Sequence, residues 1–165
     1  MKPTFTLERL KQLLHYDPLT GHFTWLVRRN QNSAPGKRAG VVGANGYTYV
    51  CLDQRKYLAH RLALFYANGE WPAKLLDHKH GDKGAALSRL RPADKSQNGA
   101  NRGKPSNNTS GFKGAFYDKK AQVWFSQIQY RKRLHYLGRY ESAEDAHEAY
   151  SLVAEMLQGE FARHV

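Results

Sequence analysis

Side-chain chemistry concentrates at Asp77-His78, followed by Gly81-Asp82 and, 21 residues after Asp77, by Asn98. A hard divalent cation such as Mg²⁺ binds through one or two carboxylate or amide oxygens and keeps several waters, and Asp77 and Asn98 offer such oxygens. An imidazole beside that carboxylate, on the other face of a strand, stays off the metal and suits a general base. The same residues also suit a solvated turn, with Asn98 as a helix cap. Two further histidines flank the pair. His60 opens a helical segment and is read there as a buried, hydrogen-bonded side chain or as an active-site accessory. His80 lies on the strand face of His78 if the strand continues, as a surface residue or as an accessory phosphate or metal contact. Cys51 is the one cysteine, which excludes an internal disulfide and any zinc site built on paired cysteines.

The elements that must position these groups follow from periodicity. Leu7, Leu10 and Leu14 share a helical face, and Asp17 to Gly21 is a turn into a strand over 22–27. Residues 28–37 have charge and turn formers without period, so they read as a loop. Short strands follow near Val41, over 47–52 and at 57–58. A helix covers 59–67, with Leu62, Phe65 and Tyr66 on its apolar face, and Asn68-Gly69 ends it. Leu75-Leu76 leads into Asp77-His78 as a strand that feeds a turn. A short helix starts near Asp94 and carries Asn98. Residues 103–109 are turn formers with no apolar side chain and read as a linker. Beyond it, 111–117, 123–130 and 133–137 read as three antiparallel strands. Ser142 and Asp145 then cap a helix whose stripe is Ala143, Ala146, Tyr150, Val153 and Leu157, with Gly159 as its stop. In the middle strand, Trp124, Ser126 and Ile128 face that helix, and Phe125, Gln127 and Gln129 face away.

The 165 residues carry 26 Lys+Arg against 14 Asp+Glu, a net charge of +12. Residues 111–140 hold seven basic side chains and one acid, whereas 141–165 hold one basic side chain and six acids. Such a field selects a polyanion, and nucleic acid is the commonest one. Aromatic residues, 12% of the chain, add stacking surfaces within the basic stretches. No apolar run is long enough to span a bilayer, and Met1-Lys2-Pro3-Thr4 lacks the apolar stretch of a signal peptide. The expectation is a soluble cytoplasmic protein without a membrane partner, monomeric or dimeric.

The run Leu58-Ala59-His60-Arg61-Leu62-Ala63, then Gly69-Glu70-Trp71-Pro72, Asp77-His78, Gly81-Asp82, Leu90-Arg91 and Ser96-Gln97-Asn98 resembles the HNH homing endonucleases of phages. That resemblance implies a ββα-metal fold in which two strands and a helix hold one Mg²⁺ (or Mn²⁺) against the scissile phosphate. By the motif, His78 is the general base, and Asp77 and Asn98 are the metal ligands. The family usually has Asn directly before Leu-Arg, where it braces the loop behind the catalytic His. This chain has Arg89 there, which can brace that loop differently, contact phosphate or mark an impaired module.

Residues 110–162 have a second resemblance. Ser110-Gly111-Phe112-Lys113-Gly114, Val123-Trp124, Leu137-Gly138 and Ala143-Glu144-Asp145-Ala146 with Ala149-Tyr150 are similar to the ethylene-response-factor-type DNA-binding domain. It implies a sheet that lies in the major groove of double-stranded DNA with a helix behind it. Lys113, Lys119, Phe125, Gln127, Gln129, Arg131, Lys132, Arg133 and Tyr136 are then the DNA-facing set, and Gln pairs with adenine edges.

The expected architecture is α+β. A basic leader (1–55) precedes an HNH core (56–102), a linker (103–109) and a three-stranded antiparallel sheet packed on one helix (110–165). Two rivals stand beside a nuclease: a DNA-binding protein that retains the HNH scaffold without its reaction, and an RNA-binding or structural nucleic-acid protein. The leader resembles that of the same phage proteins, and its basic loop, Arg28-Arg29 to Lys37-Arg38, reads as a backbone-phosphate contact or as a solvated loop.

Overall fold

Leucines at helical spacing and a cap start the first element. The Thr6 hydroxyl accepts the Arg9 N–H at 3.2 Å and opens α1 (Leu7–Leu13), which buries Leu10 and Leu13. In the computed structural model, which describes residues 4–165, α1 passes directly into strand β1 (Leu14–Asp17). The Asp17 carboxylate caps the following turn by accepting from Leu19 N–H and the Thr20 hydroxyl, and β2 (His22–Trp25) returns antiparallel to β1. Strand β3 (Arg38–Ala39) pairs with β2, while β4 (Val41–Val42), β5 (Thr48–Leu52) and β6 (Arg55–Leu58) form a second antiparallel sheet. Helix α2 (Ala59–Asn68) ends at Gly69, whose φ of 74° is left-handed and suits glycine.

Leu10, Leu14, Phe23, Val50, Leu52 and Leu62 are buried in one core. That core takes residues from both sides of position 55, so the basic leader and α2 pack together. Strand β7 (Leu75–His78) pairs with β8 (Leu90–Ala93), and two 3₁₀ turns, Lys79–Gly81 and Leu87–Arg89, lie between them.

The chain divides into two compact units, Met1–Pro92 and Ala93–Val165. The division falls ahead of residues 103–109, because Ala93 and Ala100 pack with Phe161 in the second unit. That unit opens with α3 (Lys95–Ala100), capped reciprocally by Asp94 and Gln97. It continues with β9 (Ala115–Asp118), β10 (Val123–Tyr130) and β11 (Arg133–Tyr140), an antiparallel sheet in the order β11-β10-β9. Helix α4 (Ala143–Gln158) covers one face of it through Ile128, Tyr150 and Ala154. Gly114 makes this approach possible, since a Cβ there would collide with the Tyr150 ring. The architecture is mixed α+β, with four α-helices and several small antiparallel sheets among the described residues.

Candidate active site and nucleic-acid face

Strand β7 carries Leu76, Asp77 and His78 into the interior, and Asp77 and His78 are 4% and 5% exposed. Adjacent strand residues point to opposite faces, so the two side chains meet different surroundings. Asp77 turns to β8, where Arg91 Nε donates to Oδ2 at 2.8 Å in a largely buried ion pair. The His78 ring meets the His60 ring edge-on, with centroids 4.6 Å apart. Tyr47 closes the group at 5.4 Å from His78 and 5.6 Å from His60. His60 stands in the first turn of α2 and is buried.

Burial sets the charge state of both imidazoles. It pushes His60 down to about 3, with the Arg61 charge, and His78 whenever it is protonated, acting in the same direction. Burial also lowers His78, and Lys83 adds to that, while a Gly84 backbone hydrogen bond and Asp77 pull the other way. Two neutral imidazoles therefore face each other at neutral pH.

The loop behind His78 is held from several directions. Asp82 Oδ1 accepts the Gly84 N–H at 2.7 Å, and Arg89 forms an ion pair with Asp82 Oδ2. Arg89 thus reaches, through Asp82, the residue Gly84, whose backbone hydrogen-bonds His78. Lys83 Nζ donates to the Asn45 carbonyl at 2.6 Å and lies 5.3 Å over the Tyr47 ring. The Tyr16 hydroxyl donates to the Ala85 carbonyl at 2.6 Å. Gly21, at φ 74°, sits so close to Ala85 and Ala86 that any Cβ would strike their backbone.

Asn98 lies on α3 of the second unit, with its N–H on the Asp94 carbonyl, and its reading as a ligand rests on sequence alone. The side chain of His80 lies outside the described residues. Among the described residues, no three His, Cys, Asp or Glu side chains gather as a metal site. Mg²⁺ does not need such a cage, since it binds through one or two carboxylates together with substrate phosphate and water. Asp77 is a hard oxygen donor of the class that Mg²⁺ takes, and its Oδ2 accepts from Arg91.

The sheet of the second unit alternates as its sequence dictates. Ser126 and Ile128 are buried toward α4, while Gln129 is exposed on the opposite face. On that outer face Phe116, Phe125 and Tyr136 stack across the three strands, with centroids 5.5 Å and 6.2 Å apart. Gln127 pairs in register with Tyr136, and Gln129 with Leu134. Arg131 and Lys132 form the β10–β11 turn at φ 48° and 66°. Asn-Gly is the favoured pair for such a turn, so two cations there are held against their backbone preference. Arg133 and Lys119 are also exposed.

No family model, curated protein or solved structure matches this chain.

Lys113 does not join the outer face. Its ammonium donates to the Ala100 and Arg163 carbonyls at 2.9 Å and 2.7 Å and lies 5.6 Å over the Tyr150 ring. Burial, with Arg163 beside it, lowers it to about 8. The lysine ties α3 to the end of the chain. In the first unit the basic loop borders a groove of about 630 Å³ that includes Trp25, Arg29, Arg38, Tyr49 and Lys56. Arg29 stacks 5.2 Å over Trp25 and donates to the Cys51 carbonyl.

The sequence singles out Asp77, His78, His60 and Arg89 but not Tyr47 or the Asp77–Arg91 bond. Tyr47 sits in a stretch that reads only as a strand edge, and no local spacing links it to His78. The Asp77–Arg91 pair requires the register of β7 on β8, which composition does not supply.

Proposed function

We propose that this chain is a Mg²⁺-dependent HNH-type DNA endonuclease, with its general base and a metal-binding carboxylate on β7, and that a basic sheet domain delivers it to double-stranded DNA. The observation that carries the reading is His78: a buried, neutral imidazole beside a buried carboxylate, on a loop braced by Arg89 through Asp82. A neutral imidazole takes the proton of an attacking water, and its depressed basicity keeps it unprotonated at neutral pH. Asp77 would hold the divalent ion, which when bound supplies charge stabilisation at the phosphate and the departing 3′ oxygen. His60 packs against the base and, being neutral, adds no charge to compete with proton uptake. Arg131, Lys132 and Arg133 contact backbone phosphate, which positions the chain without reading sequence. The setting is the cytoplasm of a phage-infected bacterial host. Among the described residues no helix is long and apolar enough to cross a membrane.

The test is nicking of supercoiled plasmid with Mg²⁺ and with EDTA. His78→Ala should lower the rate ~10²- to 10⁴-fold with DNA affinity retained, the contribution of a positioned base. Asp77→Ala should abolish the metal-dependent rate. Cleavage by His78→Ala at the parental rate would falsify the assignment. The Asp77–Arg91 ion pair favours a second reading, in which Asp77 is structural and the chain binds DNA without cutting it. In that case plasmid stays supercoiled in Mg²⁺ while duplex binding persists in EDTA.

A further inference from the structure

The outer face of the second unit's sheet carries a ridge of three aromatic rings that phosphate binding does not use. Phe116 and Tyr136 are 41% and 60% exposed, and Phe125 lies between them. Their planes are within 24° and 29° of parallel. Side chains stand roughly perpendicular to a sheet, so rings stacked across neighbouring strands turn their faces to one another and their edges outward. At 5.5 Å and 6.2 Å between centroids, no base fits between two rings, because a flat ring in contact on both sides needs roughly 7 Å. The ridge is therefore suited to apolar edge contact and not to base stacking. A polyanion is its occupant by charge, since Arg139 pairs in register with Phe125, Lys119, Lys120, Arg131, Lys132 and Arg133 lie at the two turns of the same sheet, and Asp118 is the one acid of residues 111–140. The apolar group that a DNA major groove displays is the C5 methyl of thymine, and Phe is a known partner of that methyl.

We infer that Phe116, Phe125 and Tyr136 read thymine methyl groups in the major groove of duplex DNA, making the sheet a reader of thymine content as well as a phosphate binder. The inference rests on the DNA-binding part of the proposed function and is independent of cleavage. Gln127 and Gln129 share the face and suit the adenine partners of those thymines.

The test uses the full chain in EDTA with alternating poly(dA-dT) and poly(dA-dU) of equal length, which differ only by that methyl. Burial of one methyl is worth roughly a fourfold change in affinity, so the parent should bind the dT polymer at least about fourfold more tightly. The variant Phe116→Gln/Tyr136→Gln should bring the dT/dU ratio close to one. Its salt dependence should stay parental, because phosphate contacts from the basic turn set it, and a parental circular-dichroism spectrum and melting curve show that the variant is folded. Equal binding of the two polymers by the parent overturns the inference and leaves DNA binding intact. So does a variant that keeps the dT preference. Binding of neither polymer overturns the DNA-binding reading itself. Self-association lost on Tyr136→Gln, without duplex binding, would assign the face to a second copy and equally overturn the inference.

Discussion

Replacing Arg91 by Met removes the guanidinium from a carboxylate that is 4% exposed, while retaining the apolar stem that packs beside β7. The ion pair is short, 2.8 Å, and its side chains are 11% and 5% exposed, so solvent screens it little. Removing one partner of a buried pair costs about 3–5 kcal/mol, because the remaining charge stays in a poorly polarisable site. Urea slopes for small domains are about 1–3 kcal/mol per molar, so at a slope near 2 the midpoint should fall by roughly 1.5–2.5 M. Tryptophan fluorescence in a Trp124→Phe background reads the first unit, since Trp25 and Trp71 then remain there. The double variant Asp77→Asn/Arg91→Met removes both charges and should recover most of the loss, giving a coupling of about 2 kcal/mol or more. A single variant within about 0.5 kcal/mol of the parent, or a double variant whose losses simply add, would refute the claim that this bond carries a buried charge. If Asp77 also holds a divalent ion, Mg²⁺ should raise the midpoint of Arg91→Met more than that of the parent, since the guanidinium no longer competes.

The remaining expectations concern pH, the loop and the sheet. His60 and His78 both titrate below the free imidazole value near 6.5 in the folded chain, so the unfolded chain takes up their protons first. Their contribution is complete above that value and is lost as pH falls below it. For His60, pushed to about 3, the loss between pH 6.5 and 5 is about 2 kcal/mol, and His60→Gln should flatten the unfolding midpoint over that range by a like amount. Arg89 is largely exposed, so Arg89→Ala should change stability by under about 1 kcal/mol, yet lower the nicking rate by loosening the Asp82–Gly84 turn. Unchanged nicking would make Arg89 a bystander. Arg131→Asn/Lys132→Gly/Arg133→Gln keeps a left-handed turn and removes three charges, so the log–log salt slope of DNA binding should flatten by roughly two to three units. Reversing Glu144 and Glu148 on α4, the helix behind the sheet, should leave that slope unchanged.

The regular elements were largely legible, since each is dictated by its own neighbours in sequence. The leucine spacing gave α1, Asp94 marked the start of α3, and Ser142 with Asp145 marked that of α4. The alternation of Ser126 and Ile128 with Gln127 and Gln129 told the covered face of the sheet from the open one. Strand β1 was hidden because it follows α1 without a break and its residues fit the end of a helix equally well. Lys113 was misplaced because a cation beside a basic strand reads as exposed, and its two carbonyl partners come from distant parts of the unit. Similarly, the fit of Gly21 against Ala85 and Ala86 and the meeting of Tyr47 with His78 depend on packing between remote segments.

Those remote contacts also set the order in which the molecule can be assembled. Tyr16 and Ala85 are 69 positions apart, and Lys83 reaches back 38 positions to Asn45. Contacts so distant in sequence form late, because the intervening chain must lose its freedom before they can be made. A ribosome that has made the first strands and α2 has therefore made a core without the loop that orders His78. The histidine pair acquires its surroundings only after Asp82, Gly84 and Arg89 have emerged and folded back on the first hairpin. A partly synthesised chain thus has the basic loop of residues 28–38 before the His60–His78 pair is ordered.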